Sequence, residues 1–209
     1  MNVMDRVADL KVIPVIQLDR VEDATPLAEA LTRGGLPAAE ITFRTAAAAG
    51  SIAAVSKAFP DMLVGAGSLT TVDQAKEALD CGATFFVSAG FNRKVTEFAV
   101  DHKIPIFPGV CTPTELMFLL EYNLPVAKFF PASQYGGLAT IKALSAPFPQ
   151  MKFMPTGGIN AGNILEYLSF PKVVACGGSW MVKSDWVREG KFDTIAEKTA
   201  EAVALVKGK

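Results

Sequence analysis

The chain has 209 residues, half of them hydrophobic and 20% charged, which is enough for one sizeable core and too little for two ordinary domains. Residues 1–209 are therefore expected to form a single domain. Its 20 basic and 21 acidic residues are scattered singly and leave a net charge of -1, so neither nucleic acid nor an anionic membrane is an expected partner, and a small neutral or anionic metabolite is.

Cys81, Cys111 and Cys176 lie far apart with no C-x-x-C pair, which argues against a disulfide framework or zinc knuckle and for a reducing cytoplasm. The N-terminal stretch carries Asp5 and Asp9 and is interrupted by Lys11, Pro14 and Gln17, unlike a secretory leader. No apolar run approaches membrane-spanning length.

In chain order, short apolar runs alternate with stretches of helical period. The spacing predicts strands over 12–16, 39–43, 63–66, 85–88, 104–107, 126–129, 152–154 and 173–176. Helices are predicted over 24–31, 52–59, 72–79, 94–100, 114–121, 138–144, 164–168 and 192–206. Thr71 or Asp73 opens the third helix and Gly82 follows its end. This is the pattern of an α/β protein with a parallel sheet. An open doubly wound sheet would fit the alternation, but short, even, similar units favour a single (β/α)8 TIM barrel. In such a barrel chemistry gathers at the C-terminal ends of the strands.

Charged residues sort by that rule. Lys11, Lys152 and Lys172 open their runs and belong to the solvated N-terminal rim. Lys128 instead lies late in its run, shortly before Pro131. A lone buried ammonium costs several kcal/mol unless it is paired or neutralised. One reason to keep it is a pKa lowered from about 10.4 toward roughly 7 to 8, which provides a free amine to attack a carbonyl. The alternative is a lysine that snorkels to the barrel mouth, and the residue pattern alone leaves the two level.

Glu40 is the one acid placed among strand formers. Alternation sets Glu40, Thr42 and Arg44 on one face and Ile41 and Phe43 on the other. Glu40 is thus a candidate acid/base and Arg44 a candidate anion clamp, against the alternative of a buried structural Glu–Arg pair. Glycine turns, Thr156-Gly157-Gly158 after the seventh strand and Gly177-Gly178-Ser179 after the eighth, stand where phosphate-binding barrels hold an anion on backbone N–H groups. His102, the only histidine, lies in a polar helix end, so neither a histidine metal centre nor Ser–His or Cys–His catalysis is expected. Cys111 reads as a small wall residue.

Seven segments together resemble a known family over nearly the whole chain. They are Ile13-Pro14-Val15-Ile16, Glu40-Ile41-Thr42-Phe43-Arg44-Thr45, Gly65-Ala66-Gly67, Pro108-Gly109, Lys128-Phe129-Phe130-Pro131-Ala132, Pro155-Thr156-Gly157-Gly158-Ile159 and Gly177-Gly178-Ser179-Trp180. The family is that of the 2-keto-3-deoxy-6-phosphogluconate (KDPG) aldolases, also called 2-dehydro-3-deoxy-phosphogluconate / 4-hydroxy-2-oxoglutarate aldolases. The resemblance implies a class I aldolase, needing no metal or cofactor, that splits the phosphorylated keto acid into pyruvate and glyceraldehyde 3-phosphate. It implies a homotrimer of (β/α)8 barrels. Lys128 then corresponds to the Schiff-base lysine, Glu40 to the acid/base, and Arg44, with the Ser68 hydroxyl nearby, to the substrate-anion site. Thr156, Gly157, Gly158, Gly178 and Ser179 would grip the distal phosphate. Cleavage of 4-hydroxy-2-oxoglutarate to pyruvate and glyoxylate falls within the same chemistry.

Three positions depart from the pattern: Ser68 where threonine is usual, Ala89 where proline is usual, and Ser133 where glutamate is common. The serine at 133 is reminiscent of galactonate-type relatives, so the C4-epimeric substrate stays open. A phosphate-binding barrel isomerase or epimerase would share the glycine loops but has no need of Lys128.

Overall fold

The computed structural model describes residues 2–208. It has an α/β architecture in which parallel strands, curled into a half-barrel, alternate with helices. Val3–Leu10 (α1) precedes Val12–Ile16 (β1), followed by Ala24–Arg33 (α2), Ala38–Thr42 (β2), Ala48–Ala58 (α3) and Leu63–Gly67 (β3). Then come Val72–Asp80 (α4), Phe85–Val87 (β4), Arg93–Asp101 (α5), Ile106–Phe107 (β5), Gly109–Val110 (β6) and Pro113–Glu121 (α6). Val126–Phe129 (β7), Gly137–Ser145 (α7), Lys152–Pro155 (β8), Ile164–Leu168 (α8), Cys176–Gly178 (β9), Ser184–Arg188 (α9) and Phe192–Lys207 (α10) complete the chain.

Local chemistry sets several boundaries. Thr71 begins α4 with a capping box closed by Gln74, and Thr112 begins α6 with one closed by Glu115, each satisfying N–H groups that the first turn leaves free. Gly82, at φ 94°, turns the chain out of α4.

The strands pair in parallel in two sheets, β5-β4-β3-β2-β1-β9 and β6-β7-β8. The division between β5 and β6 falls at Pro108, which has no N–H to give a ladder. Its carbonyl still accepts from the Lys128 N–H at 2.9 Å. Isolated parallel bridges Phe153↔Val173 and Thr156↔Gly177 connect β8 with the segment running into β9.

β2 and β3 are buried at every residue, as strands covered on both faces must be. Phe85, Phe107, Phe129 and Phe153 fill the interior without exposure. Gly65 makes room for the Phe85 ring, since a Cβ there would overlap it.

Two helices lie outside the predicted set: α1, capped by the Asn2 side chain accepting from the Asp5 N–H, and the short α9. The eighth strand also sits later than predicted, at Cys176–Gly178, with only Val173 bridged earlier. Glycine has little strand preference, but pairing of Val12, Ile13 and Pro14 with Cys176, Gly177 and Gly178 draws this stretch into the ladder.

Candidate active site

Strands of different sheets bring two buried, oppositely charged residues together. Lys128 stands in β7 between register partners Gly109 and Met154, and its side chain is 3% exposed. Glu40 stands in β2, opposite Val15 and Gly65, and its side chain has no exposure. Lys128 Nζ lies 3.3 Å from Glu40 Oε1, although 88 residues separate them in sequence. The lysine therefore does not snorkel to the mouth. Glu40 does not form the structural pair with Arg44 either.

The rest of the carboxylate's surroundings are open to chemistry. Glu40 Oε2 is buried with no hydrogen-bond partner, and so is Thr156 Oγ1. Buried polar atoms left without partners are destabilising, and here two of them stand beside the same buried amine and glycine loop. Lys128 Nζ also sits 5.2 Å from the centre of the Phe130 ring, within cation–π range.

Phe130 lines a cleft of about 160 Å³ together with Arg44, Thr156, Gly157, Gly158, Gly178 and Ser179. Six of the sequence-predicted residues thus converge there. Arg44 is exposed and its Nε donates to Ser68 Oγ at 3.0 Å, which brings Ser68 to the same rim. Ser68 adopts φ 57°, a left-handed conformation that bulky and β-branched residues resist. Thr42, predicted to share the Glu40 face, is occupied elsewhere: its hydroxyl donates to the Ile16 carbonyl at 2.9 Å and ties β2 to β1.

The glycine loop is built to present donors. Gly157 and Gly158 have φ of 98° and 75°, which only glycine adopts freely. Carbonyls in this turn are taken: Thr156 O accepts from the Ala132 N–H at 2.8 Å and Gly157 O from the Ser133 N–H at 3.1 Å. Gly158 O accepts from the Asn163 side-chain amide at 2.9 Å. In contrast, the N–H groups of Gly157, Gly158 and Ser179 donate to no backbone carbonyl among the described residues. Backbone N–H groups left free along one cleft are the kind of donor that binds anions. Ser133 stands directly against Gly158, so the departure at that position removes a carboxylate from beside the loop. Ala89, the other departure, presses its carbonyl on Gly109, next to the Lys128 strand.

A larger cleft of about 520 Å³ shares Arg44, Gly158 and Ser179 and extends outward past Gln17, Asn160, Trp180 and Lys183. Sequence reasoning missed these four. Asn160 and Asn163 could have been found as a turn signature after the double glycine, whereas nothing in the sequence separates Lys183 from other loop lysines.

The residues set aside remain apart from this site. Lys152 is exposed, and Lys11 and Lys172 reach the Val206 and Pro149 carbonyls. His102 caps α5, with Nδ1 2.8 Å from Phe98 O and its ring stacked on Phe98. Among the described residues no three His, Cys, Asp or Glu side chains are grouped to hold a metal ion. Burial, with Glu115 second, pushes the Cys111 thiol up, the wrong direction for a thiolate nucleophile.

A family model described as KDPG and KHG aldolase matches residues 3–198. The chain is 43% identical over 205 residues to a 2-dehydro-3-deoxy-phosphogluconate aldolase of Treponema pallidum, covering 98% of each. It is similar to a crystal structure of KDPG aldolase from Legionella pneumophila with pyruvate captured at low pH as a covalent carbinolamine intermediate. That likeness has a TM-score of 0.92 and 40% identity, and covers 96% of this chain and 98% of that one. A KDPG aldolase of Zymomonas mobilis ZM4 with 3-phosphoglycerate matches with a TM-score of 0.89 and 36% identity, over 97% and 95% of the two chains.

Proposed function

This chain belongs to the KDPG and KHG aldolase family, and from that premise we propose that it cleaves 2-dehydro-3-deoxy-6-phosphogluconate through a Schiff base on Lys128. The observation that carries the reading is the buried Lys128–Glu40 pair, 3.3 Å apart, beside a cleft lined by unoccupied backbone donors.

The neutral Lys128 amine attacks the C2 carbonyl, and the resulting carbinolamine loses water to give a protonated imine. That cation is the electron sink for the next step. Glu40 takes the C4 hydroxyl proton as the C3–C4 bond breaks, its electrons pass to the imine as an enamine, and the aldehyde leaves. Protonation of the enamine carbon by the same carboxyl, then hydrolysis, releases pyruvate and restores the amine. Because Glu40 reaches Lys128 Nζ, it also serves proton transfer during carbinolamine formation and dehydration. Arg44, steadied by Ser68, holds the pyruvyl carboxylate, and the Gly157, Gly158 and Ser179 N–H groups, with Thr156 and Gly178 shaping the pocket, hold the distal phosphate.

Cleavage of 4-hydroxy-2-oxoglutarate uses the same first steps without the phosphate contacts. A galactonate-type C4 epimer is the second substrate reading, favoured by Ser133 beside Gly158. The isomerase alternative leaves the desolvated Lys128 amine without a purpose.

We read the two sheets as one (β/α)8 barrel in a single domain. β5 and β6 act as one strand interrupted at Pro108, and the bridges from β8 toward β9 support closure on the far side. A homotrimer working in the cytoplasm follows from the family resemblance. No helix among the described residues is long and apolar enough to cross a membrane.

The decisive experiment is incubation with pyruvate and borohydride followed by intact and peptide mass spectrometry. One adduct on Lys128, lost in Lys128→Met, is expected. An adduct on another lysine in that variant overturns the assignment.

A further inference from the structure

The larger cleft runs outward past Gly158 and Ser179 to the start of α9, and its outer end carries a cation that the chemistry above does not use. Lys183 is exposed, immediately precedes α9, and holds its Nζ 4.9 Å from the centre of the Trp186 ring. An ammonium over an indole is held by the ring's quadrupole and keeps its charge available to a ligand.

Its carboxylate neighbours are spoken for. Among the described residues Lys183 belongs to no ion pair. Asp185, the carboxylate lining this cleft, is bonded to Arg188, which also reaches Asp19 at 3.4 Å. Two free cations thus bracket the cleft, Arg44 at the inner end and Lys183 at the outer. A phosphate monoester carries close to two negative charges at neutral pH, and three backbone N–H groups supply only partial positive charge. If Arg44 serves the pyruvyl carboxylate, Lys183 is the cation left to meet the other end.

We propose that Lys183 is a specificity-determining residue that contacts the substrate's distal phosphate and selects dianionic tails over short substrates. This rests on the aldolase reading above, so the test separates the two.

Lys183→Gln removes the charge and keeps a polar side chain; Lys183→Glu reverses it. At low ionic strength Lys183→Gln should raise KM for the phosphorylated keto acid about 3- to 10-fold with kcat within about twofold, and Lys183→Glu more, as expected for an exposed charge contact to a dianion. The ratio of kcat/KM for the phosphorylated substrate to that for 4-hydroxy-2-oxoglutarate should fall by the same factor. Added KCl should narrow the gap between wild type and variants as the Debye length shortens. Calorimetry with inorganic phosphate should give a Kd weakened in the same order, independently of any aldol chemistry. Equal losses on both substrates, or unchanged KM and phosphate Kd in Lys183→Glu, overturn the proposal. Failure of pyruvate–borohydride labelling in wild type refutes the Lys128 reading instead, and the phosphate titration then still decides Lys183.

Discussion

Gly67→Ala tests the Glu40 assignment without changing the identity of a proposed catalytic residue. Gly67 ends β3, and a Cβ built there would lie 2.7 Å from Glu40 Cγ and 2.9 Å from Cδ, and collide with Oε1. Ordinary carbon contacts are about 3.5–4.0 Å, so the carboxylate must move by about 1 Å. From 3.3 Å, that shift carries Oε1 beyond the reach needed for proton transfer with Lys128. A misplacement of about 1 Å at a reacting group costs roughly 10²-fold, or about 2.7 kcal/mol of barrier. Overpacking of the interior adds about 1–3 kcal/mol of destabilisation, a fall in Tm of about 2–12 °C. The assay is pyruvate release coupled to NADH oxidation, with borohydride trapping of pyruvate alongside. Turnover should drop while the Lys128 adduct still forms. In a Glu40→Gln background the same alanine should cost little, because the group it displaces has already lost its function. Turnover of Gly67→Ala within about twofold of wild type, or an undiminished 10²-fold loss in the Glu40→Gln background, refutes the reasoning.

Glu40→Gln itself should form the pyruvate adduct yet lose turnover by roughly 10²- to 10⁴-fold, the range for a positioned acid/base; unaltered turnover in steady-state assays returns Glu40 to a packing role. Ser179→Asp places a negative charge at the proposed anion site and should penalise the phosphorylated substrate far more than 4-hydroxy-2-oxoglutarate, read as the ratio of their kcat/KM values. Burial pushes the Cys176 thiol up to about 12, so in Ellman titration of the folded protein near pH 8 it should react only after the half-buried Cys81 and Cys111, and only on unfolding. The raised value also sets a sign for stability: the contribution of the neutral buried thiol is fully present below the unfolded pKa of about 8.5 and is lost progressively toward 12, so Cys176→Ala should flatten the alkaline limb of the unfolding curve.

The type of most elements was legible in the sequence because most strands are short apolar runs and the longer helices carry a 3.6-residue stripe, both local properties, whereas α1 and the five-residue α9 lie outside the predicted set and the glycine-rich β9 has no apolar run. The 12–16, 126–129 and 164–168 boundaries coincide with β1, β7 and α8. Lys128 and Glu40 stood out for the same local reason: a charge inside a run of strand formers is costly wherever that run is buried. The Thr156-Gly157-Gly158 turn was visible through its address after the seventh strand, whereas Gly177 and Gly178, expected as a turn after the eighth, lie within β9 itself because they pair with Ile13 and Pro14.

Tertiary structure decided what depends on distance between remote segments. The 3.3 Å contact of Lys128 with Glu40, rather than of Glu40 with Arg44, follows from curling β2 and β7 toward one interior, and no local pattern encodes that curvature. Arg44 turned instead to Ser68 because β2 and β3 run in register to their ends, bringing residues 24 apart in sequence side by side. β9 formed over a glycine pair because β1 offered a ladder partner, overriding a propensity that pointed to 173–176. Lys183 became significant only when Arg188 engaged Asp185 and left the lysine's charge facing the cleft. Charge and periodicity are written residue by residue, whereas which charges are left unpaired depends on the three-dimensional neighbours that packing supplies.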